Sequence, residues 1–158
     1  TYDVRVEVRN DCMTEPSFQT KQVTLQGGYC CPTCNLDGGN NCYTVTSSSV
    51  YNSATNKTTF TYTVKEKSSG SGSTCKDVSY FKLNFGKGSG TASYTVTPAG
   101  SAKDFEVKSN EIKLEVKDSF TSGTITIVYN GCVGYTTGKL TIKAGSNTFE
   151  FDVCKPKP

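Results

Sequence analysis

At 158 residues the chain is the size of one ordinary domain; with 34% of residues apolar, a single Met and no Trp, its core has to be thin. Its 17 basic and 14 acidic residues leave a net charge of +3, interspersed along the chain, which argues against nucleic acid, whose partners carry a clustered basic face. Histidine is absent, so Ser-His-Asp and Cys-His catalysis are unavailable and a zinc site would have to be all-cysteine.

From the start, period-two alternation dominates, with no helical stripe. Tyr2, Val4, Val6 and Val8 alternate with charged residues in a half-buried first strand. Thr1, directly before it, reads as a processed or trimmed end. The pattern predicts a second strand over Lys21–Gln26, then a cysteine-rich loop over 28–43, GYCCPTCNLDGGNNCY. Alternation resumes from Tyr43 toward Tyr51, and Asn52–Lys57 is a polar turn. The clearest strand is Thr58–Lys65, with Phe60, Tyr62 and Val64 inward and Thr59, Thr61 and Thr63 outward, a composition that suits a pleated sheet with one wet face. A Ser/Gly tract over 68–74 reads as a flexible loop inside one domain, 1–158.

Strands follow over Val78–Phe85 and Thr91–Thr97, around Phe105 and Val107, and through Ile112, Leu114 and Val116. Three more are predicted over Thr124–Asn130, Lys139–Lys143 and Thr148–Val153, with Asn130-Gly131 a tight-turn dipeptide. The Cys154-Lys-Pro-Lys-Pro end reads as a polar stop to the last of them. The whole predicts an all-β fold of about ten to twelve short strands in an antiparallel two-sheet sandwich, Ig-like or jelly-roll, stapled by disulfides.

Tyr51-Asn-Ser-Ala-Thr-Asn-Lys-Thr-Thr-Phe-Thr-Tyr-Thr-Val64, followed by Cys75 and Ser79-Tyr-Phe-Lys-Leu83, resembles β-sandwich modules of secreted microbial cell-surface proteins. About a quarter of the chain carries that likeness. It implies a sandwich on a cell exterior and brings no catalytic residues with it.

The eight cysteines are Cys12, Cys30, Cys31, Cys34, Cys42, Cys75, Cys132 and Cys154. An even count at this density favours disulfides, and hence an oxidising, extracellular compartment, secreted or at the cell surface. Adjacent Cys30 and Cys31 rarely bond each other, so the cluster is expected to send bridges to distant strands; the pairing stays open. Cys31-Pro-Thr-Cys34 has the look of a redox motif but lacks the helix that would lower a thiol pKa. Asn35–Asn41 faintly resembles a calcium loop without its closing Glu, and turn chemistry explains the same residues. No cofactor or metal is expected, and the outward carboxylates read as solvated charges, so no enzyme is predicted. No apolar run approaches the ~18–20 residues that span a bilayer, so membrane insertion is not expected.

Three contact hypotheses remain. Asn56-Lys57-Thr58 is an N-glycosylation sequon on a predicted turn. The cysteine-rich loop is read as presenting Tyr29, Asp37, Asn40 and Tyr43 to a partner, either another copy of the chain or an extracellular surface component. Tyr51, Tyr80 and Tyr135, with Tyr29 and Tyr43, are the platforms of the alternative, a glycan-binding module. Ice binding by the Thr-rich outer faces would need regular arrays on neighbouring strands, and the ladders read as short and interrupted by charge. The expected function is therefore a structural or adhesive module, a subunit of a surface or filament assembly pairing through sheet edges.

Overall fold

The computed structural model describes residues 2–8, 17–23, 33–67, 75–84, 91–97, 102–108, 111–118 and 120–157. Twelve strands run through them: β1 (Tyr2–Val8), β2 (Ser17–Val23), β3 (Cys34–Gly39), β4 (Tyr43–Asn52), β5 (Lys57–Glu66), β6 (Val78–Asn84), β7 (Thr91–Thr97), β8 (Ala102–Val107), β9 (Glu111–Val116), β10 (Ser122–Asn130), β11 (Tyr135–Ala144) and β12 (Asn147–Pro156). One five-stranded sheet has the order β3-β4-β5-β10-β7 and a second the order β12-β11-β6-β9-β8, all antiparallel. This is the disulfide-stapled β-sandwich that alternation predicts.

Inward residues of both sheets make the core. Val45, Phe60, Tyr62, Val64, Ile125, Ile127 and Tyr129 come from the first sheet, and Phe81, Leu83, Ile112, Leu114, Leu140, Ile142 and Val153 from the second, each fully buried. Tyr43 meets Phe149 across the sandwich at 5.4 Å between ring centroids, and Tyr94 meets Phe105 at 6.5 Å. One polar group is buried with full compensation: the Thr58 hydroxyl donates to Gly131 O at 2.7 Å and accepts from Val133 N at 2.9 Å, tying β5 to the corner after β10. Gly131 makes that corner with φ of 81°, and its N–H donates to Asn56 O.

Four expectations change. β1 pairs with β2 in a separate two-stranded sheet, from Tyr2↔Val23 to Val8↔Ser17, so neither is hydrogen-bonded into the five-stranded sheets. The second strand begins at Ser17 rather than Lys21 and is described as far as Val23, the expected residues 24–26 lying outside the described residues; its first residues lack apolar alternation and are strand because β1 supplies a full register. Within the expected loop at 28–43, Cys34–Gly39 is a strand, paired with β4 from Cys34↔Ser49 to Gly39↔Thr44. The last strand does not stop at Cys154 but runs to Pro156, opposite Tyr135. β12 is an edge strand, where a proline that donates nothing to the ladder is tolerated. The tract at 68–74 lies outside the described residues.

Candidate functional site

The two long sides of the sandwich differ. On one, edge strands β3 and β12 of opposite sheets are joined by the disulfide Cys34–Cys154, both cysteines buried, with a sequence separation of 120. Buried serines of β4 flank it. Ser49 Oγ accepts from Cys34 N at 3.2 Å, and Ser47 Oγ accepts from Cys154 N at 2.9 Å. The amide that β12 turns away from β11 is thus satisfied by the facing sheet, and the seam is sealed.

A second disulfide, Cys42–Cys75, pins the approach to β6 onto the β3–β4 corner across 33 residues. Around it the Tyr43 hydroxyl donates to Lys76 O and Val78 N donates to Glu66 Oε1 at 2.7 Å. Burial pushes the Glu66 carboxyl above its usual range, partly opposed by that amide and reinforced by Asp77. Cys132 is disulfide-bonded as well; Cys12, Cys30 and Cys31 lie outside the described residues. Cysteines of the cluster do bridge to distant strands, and no group of His, Cys, Asp and Glu among the described residues is arranged to hold a metal.

On the opposite side, β7 and β8 end their sheets, with no further strand beside either among the described residues. Tyr94 and Val96 of β7 and Phe105 of β8 are only half-buried, and Val107 is 42% exposed. β7 and β8 carry no cysteine, so no disulfide joins this pair of edges as Cys34–Cys154 joins β3 and β12.

The outer faces differ too. That of the second sheet is laced with ion pairs: Lys82–Glu111 at 3.3 Å, Lys113–Glu115 at 2.5 Å and Lys139–Asp152 at 2.7 Å. Lys113 also sits 4.8 Å from the Tyr80 ring centroid, and its hydrogen bond to Glu115 raises its own pKa while lowering that of Glu115. The first sheet carries hydroxyls instead. Register puts Thr46, Thr63, Thr124 and Thr97 in one row across four strands, and Ser48, Thr61, Thr126 and Thr95 in the next. A third row holds Val50, Thr59, Val128 and Ser93. Among the described residues of this sheet, charge touches the field at its margin, through Lys57 and Lys65 at the ends of β5 and Asp37 on β3. The ladders read as isolated and charge-broken in sequence are continuous in register.

The expected partner loop does not come together as one surface. Tyr43 is 1% exposed and belongs to the core, so it cannot reach a partner. Asn40 Oδ1 accepts from Cys42 N and Tyr43 N, both at 2.8 Å, and so shapes the turn. Asp37 is exposed on the outer face of β3, beside a shallow depression lined by Asn40, Asn41, Thr44 and Lys67. Tyr29 lies outside the described residues. Asn56 is exposed in the β4–β5 turn at φ of 50°, its Oδ1 accepting from the Tyr51 hydroxyl at 3.0 Å. Of the remaining tyrosines, Tyr80 is half-buried beneath Lys113 and Tyr135 is 36% exposed. No helix is long and apolar enough to cross a membrane among the described residues. Compared with protein-family models, with curated protein sequences and with solved structures, the chain matches none.

Proposed function

We propose that the chain is a non-catalytic extracellular structural or adhesive module, joining copies of itself or other surface components through the open edge formed by β7 and β8. The observation that carries this reading is the asymmetry of the sandwich. One pair of edges is locked together by Cys34–Cys154, while the other leaves half-buried Val96 and Phe105 and exposed Val107 at an edge without a neighbouring strand among the described residues. Edge strands of this kind are templates for pairing with another chain. Disulfides support an oxidising compartment, in line with the resemblance of Tyr51–Leu83 to cell-surface modules. Asn56 of the sequon Asn56-Lys57-Thr58, exposed in the β4–β5 turn, fits the same setting as a glycan acceptor.

Association of the oxidised protein, followed by size-exclusion chromatography and negative-stain microscopy over a concentration series, tests the reading. Oligomers or filaments are expected, and Val107→Lys, which places a charge on the open edge, is expected to dissolve them. Monomers at every concentration, with no binding to surface components, would overturn it. Monomers that bind a glycan array would favour the lectin-like alternative.

A further inference from the structure

We propose that the hydroxyl field on the outer face of the first sheet is a binding surface for crystalline water, centred on β4, β5 and β10. A wet antiparallel face needs only to be polar, and the second sheet meets that need with a lattice of Lys and Glu. The first sheet does so almost without charge, although 31 of the 158 residues are Lys, Arg, Asp or Glu. Segregation of this kind removes the groups that would resist drying, since stripping water from a charge costs far more than stripping it from a hydroxyl.

Geometry then restricts the partner. Neighbouring strands lie ~4.8 Å apart and alternate residues along a strand ~6.8 Å apart, so in-register rows present hydroxyls on a two-dimensional repeat. Each threonine pairs a hydroxyl with a methyl and is stiff at χ1, so little rotamer freedom is lost on contact. The hydroxyls of Thr63 and Thr124 bond each other at 2.9 Å, which fixes one pair within the first row. A ligand matching such a grid must itself repeat hydrogen-bonding oxygens in two dimensions without charge. An ice surface does. Neutral polysaccharide would ordinarily stack its sugar rings on aromatics, and the three rows hold none. A second copy of the same face offers this one neither opposite charge nor a large apolar patch.

Twist sets the scale. Adjacent strands rotate by about 20–25°, so flatness holds over roughly three strands and not all five. A small matching area predicts restraint of ice-grain growth rather than a large depression of the freezing point.

The test uses the oxidised protein in frozen sucrose solution, scoring grain coarsening by microscopy and partition of protein into a slowly grown ice fraction. Wild type is expected to slow coarsening and to enter the ice. Thr61→Lys, in the middle row, is expected to need on the order of tenfold more protein, or to lose the effect, because an unpaired charge stripped of water costs more than the ~1.4 kcal/mol equivalent to that factor. Thr126→Lys repeats the perturbation on the next strand, Lys139→Ala on the other sheet should leave the effect intact, and circular dichroism confirms that each variant is folded. Coarsening equal to that with an unrelated protein, or full activity in both lysine variants, would overturn the proposal. So would retention on crystalline cellulose, or self-association abolished by Thr61→Lys, without any effect on ice.

Discussion

Replacing Cys34 and Cys154 together by Ala removes the seam between β3 and β12, and its cost follows from chain length. The bridge closes a loop of 120 residues, and Cys42–Cys75, nested inside it, already shortens that loop by 33. The bridge at Cys132, which falls between Cys34 and Cys154 in sequence, shortens it further, and for a remaining loop on the order of 25–87 residues loop-closure entropy gives about 3.5–4.6 kcal/mol at 25 °C, against about 3.7 kcal/mol for Cys42–Cys75 alone. A domain of this size loses ~2–4 °C of melting temperature per kcal/mol, so the seam variant should melt roughly 7–18 °C below wild type. Differential scanning calorimetry without reductant, on wild type, Cys34→Ala/Cys154→Ala and Cys42→Ala/Cys75→Ala, reads both values. The order is the diagnostic, because at comparable loop entropy the bridge whose cysteines are both buried also loses core packing that the half-buried one does not. A seam variant within about 3 °C of wild type, or one more stable than the Cys42/Cys75 variant, would refute the reasoning.

Thr58→Val leaves Gly131 O and Val133 N without their buried partner and should cost about 1–3 kcal/mol in urea unfolding; an unchanged midpoint would mean that water replaces the hydroxyl. At Gly123 an added Cβ would stand 2.7 Å from Phe120 Cε2, and Phe120 is buried, so Gly123→Ala should destabilise by about 1–3 kcal/mol through overpacking, read in the same assay. Burial raises the Glu66 pKa in the folded state, so its contribution to stability is greatest when protonated and falls as pH rises through the folded value. Glu66→Gln keeps an acceptor for Val78 N and cannot ionise; its melting temperature relative to wild type should therefore rise between about pH 3 and pH 7, and a flat difference would contradict the assignment.

Strands with two-sided alternation were legible from residues alone. β5 is the best case, since Phe60, Tyr62 and Val64 inward against three outward threonines admit only one parity. β3 was hidden because Asn, Asp and Gly are poor strand formers; pairing with β4 and the bridge from Cys34 override that preference. Tyr43 was misread as a loop residue although it shares parity with buried Val45, a signal present in the sequence. The hydroxyl rows were beyond reach for a different reason. Each ladder is visible by itself, but alignment of Thr63 with Thr124 depends on β5 and β10 pairing at a sequence separation of 61, and local pattern holds no record of that register.

The seam also sets an order in time. β3 and its covalent partner stand 120 residues apart, so the side of the sandwich they close has to stay open until β12 has followed. A chain emerging N-terminus first, from a ribosome or through a translocation channel, is therefore unlocked on this side while those 120 residues pass. Cys34 must wait as a free thiol among earlier arrivals, exposed to wrong pairing until Cys154 appears. Oxidation that runs ahead of chain completion would trap mispaired forms, so correct yield depends on the rate of oxidant supply as much as on the stability of the finished fold.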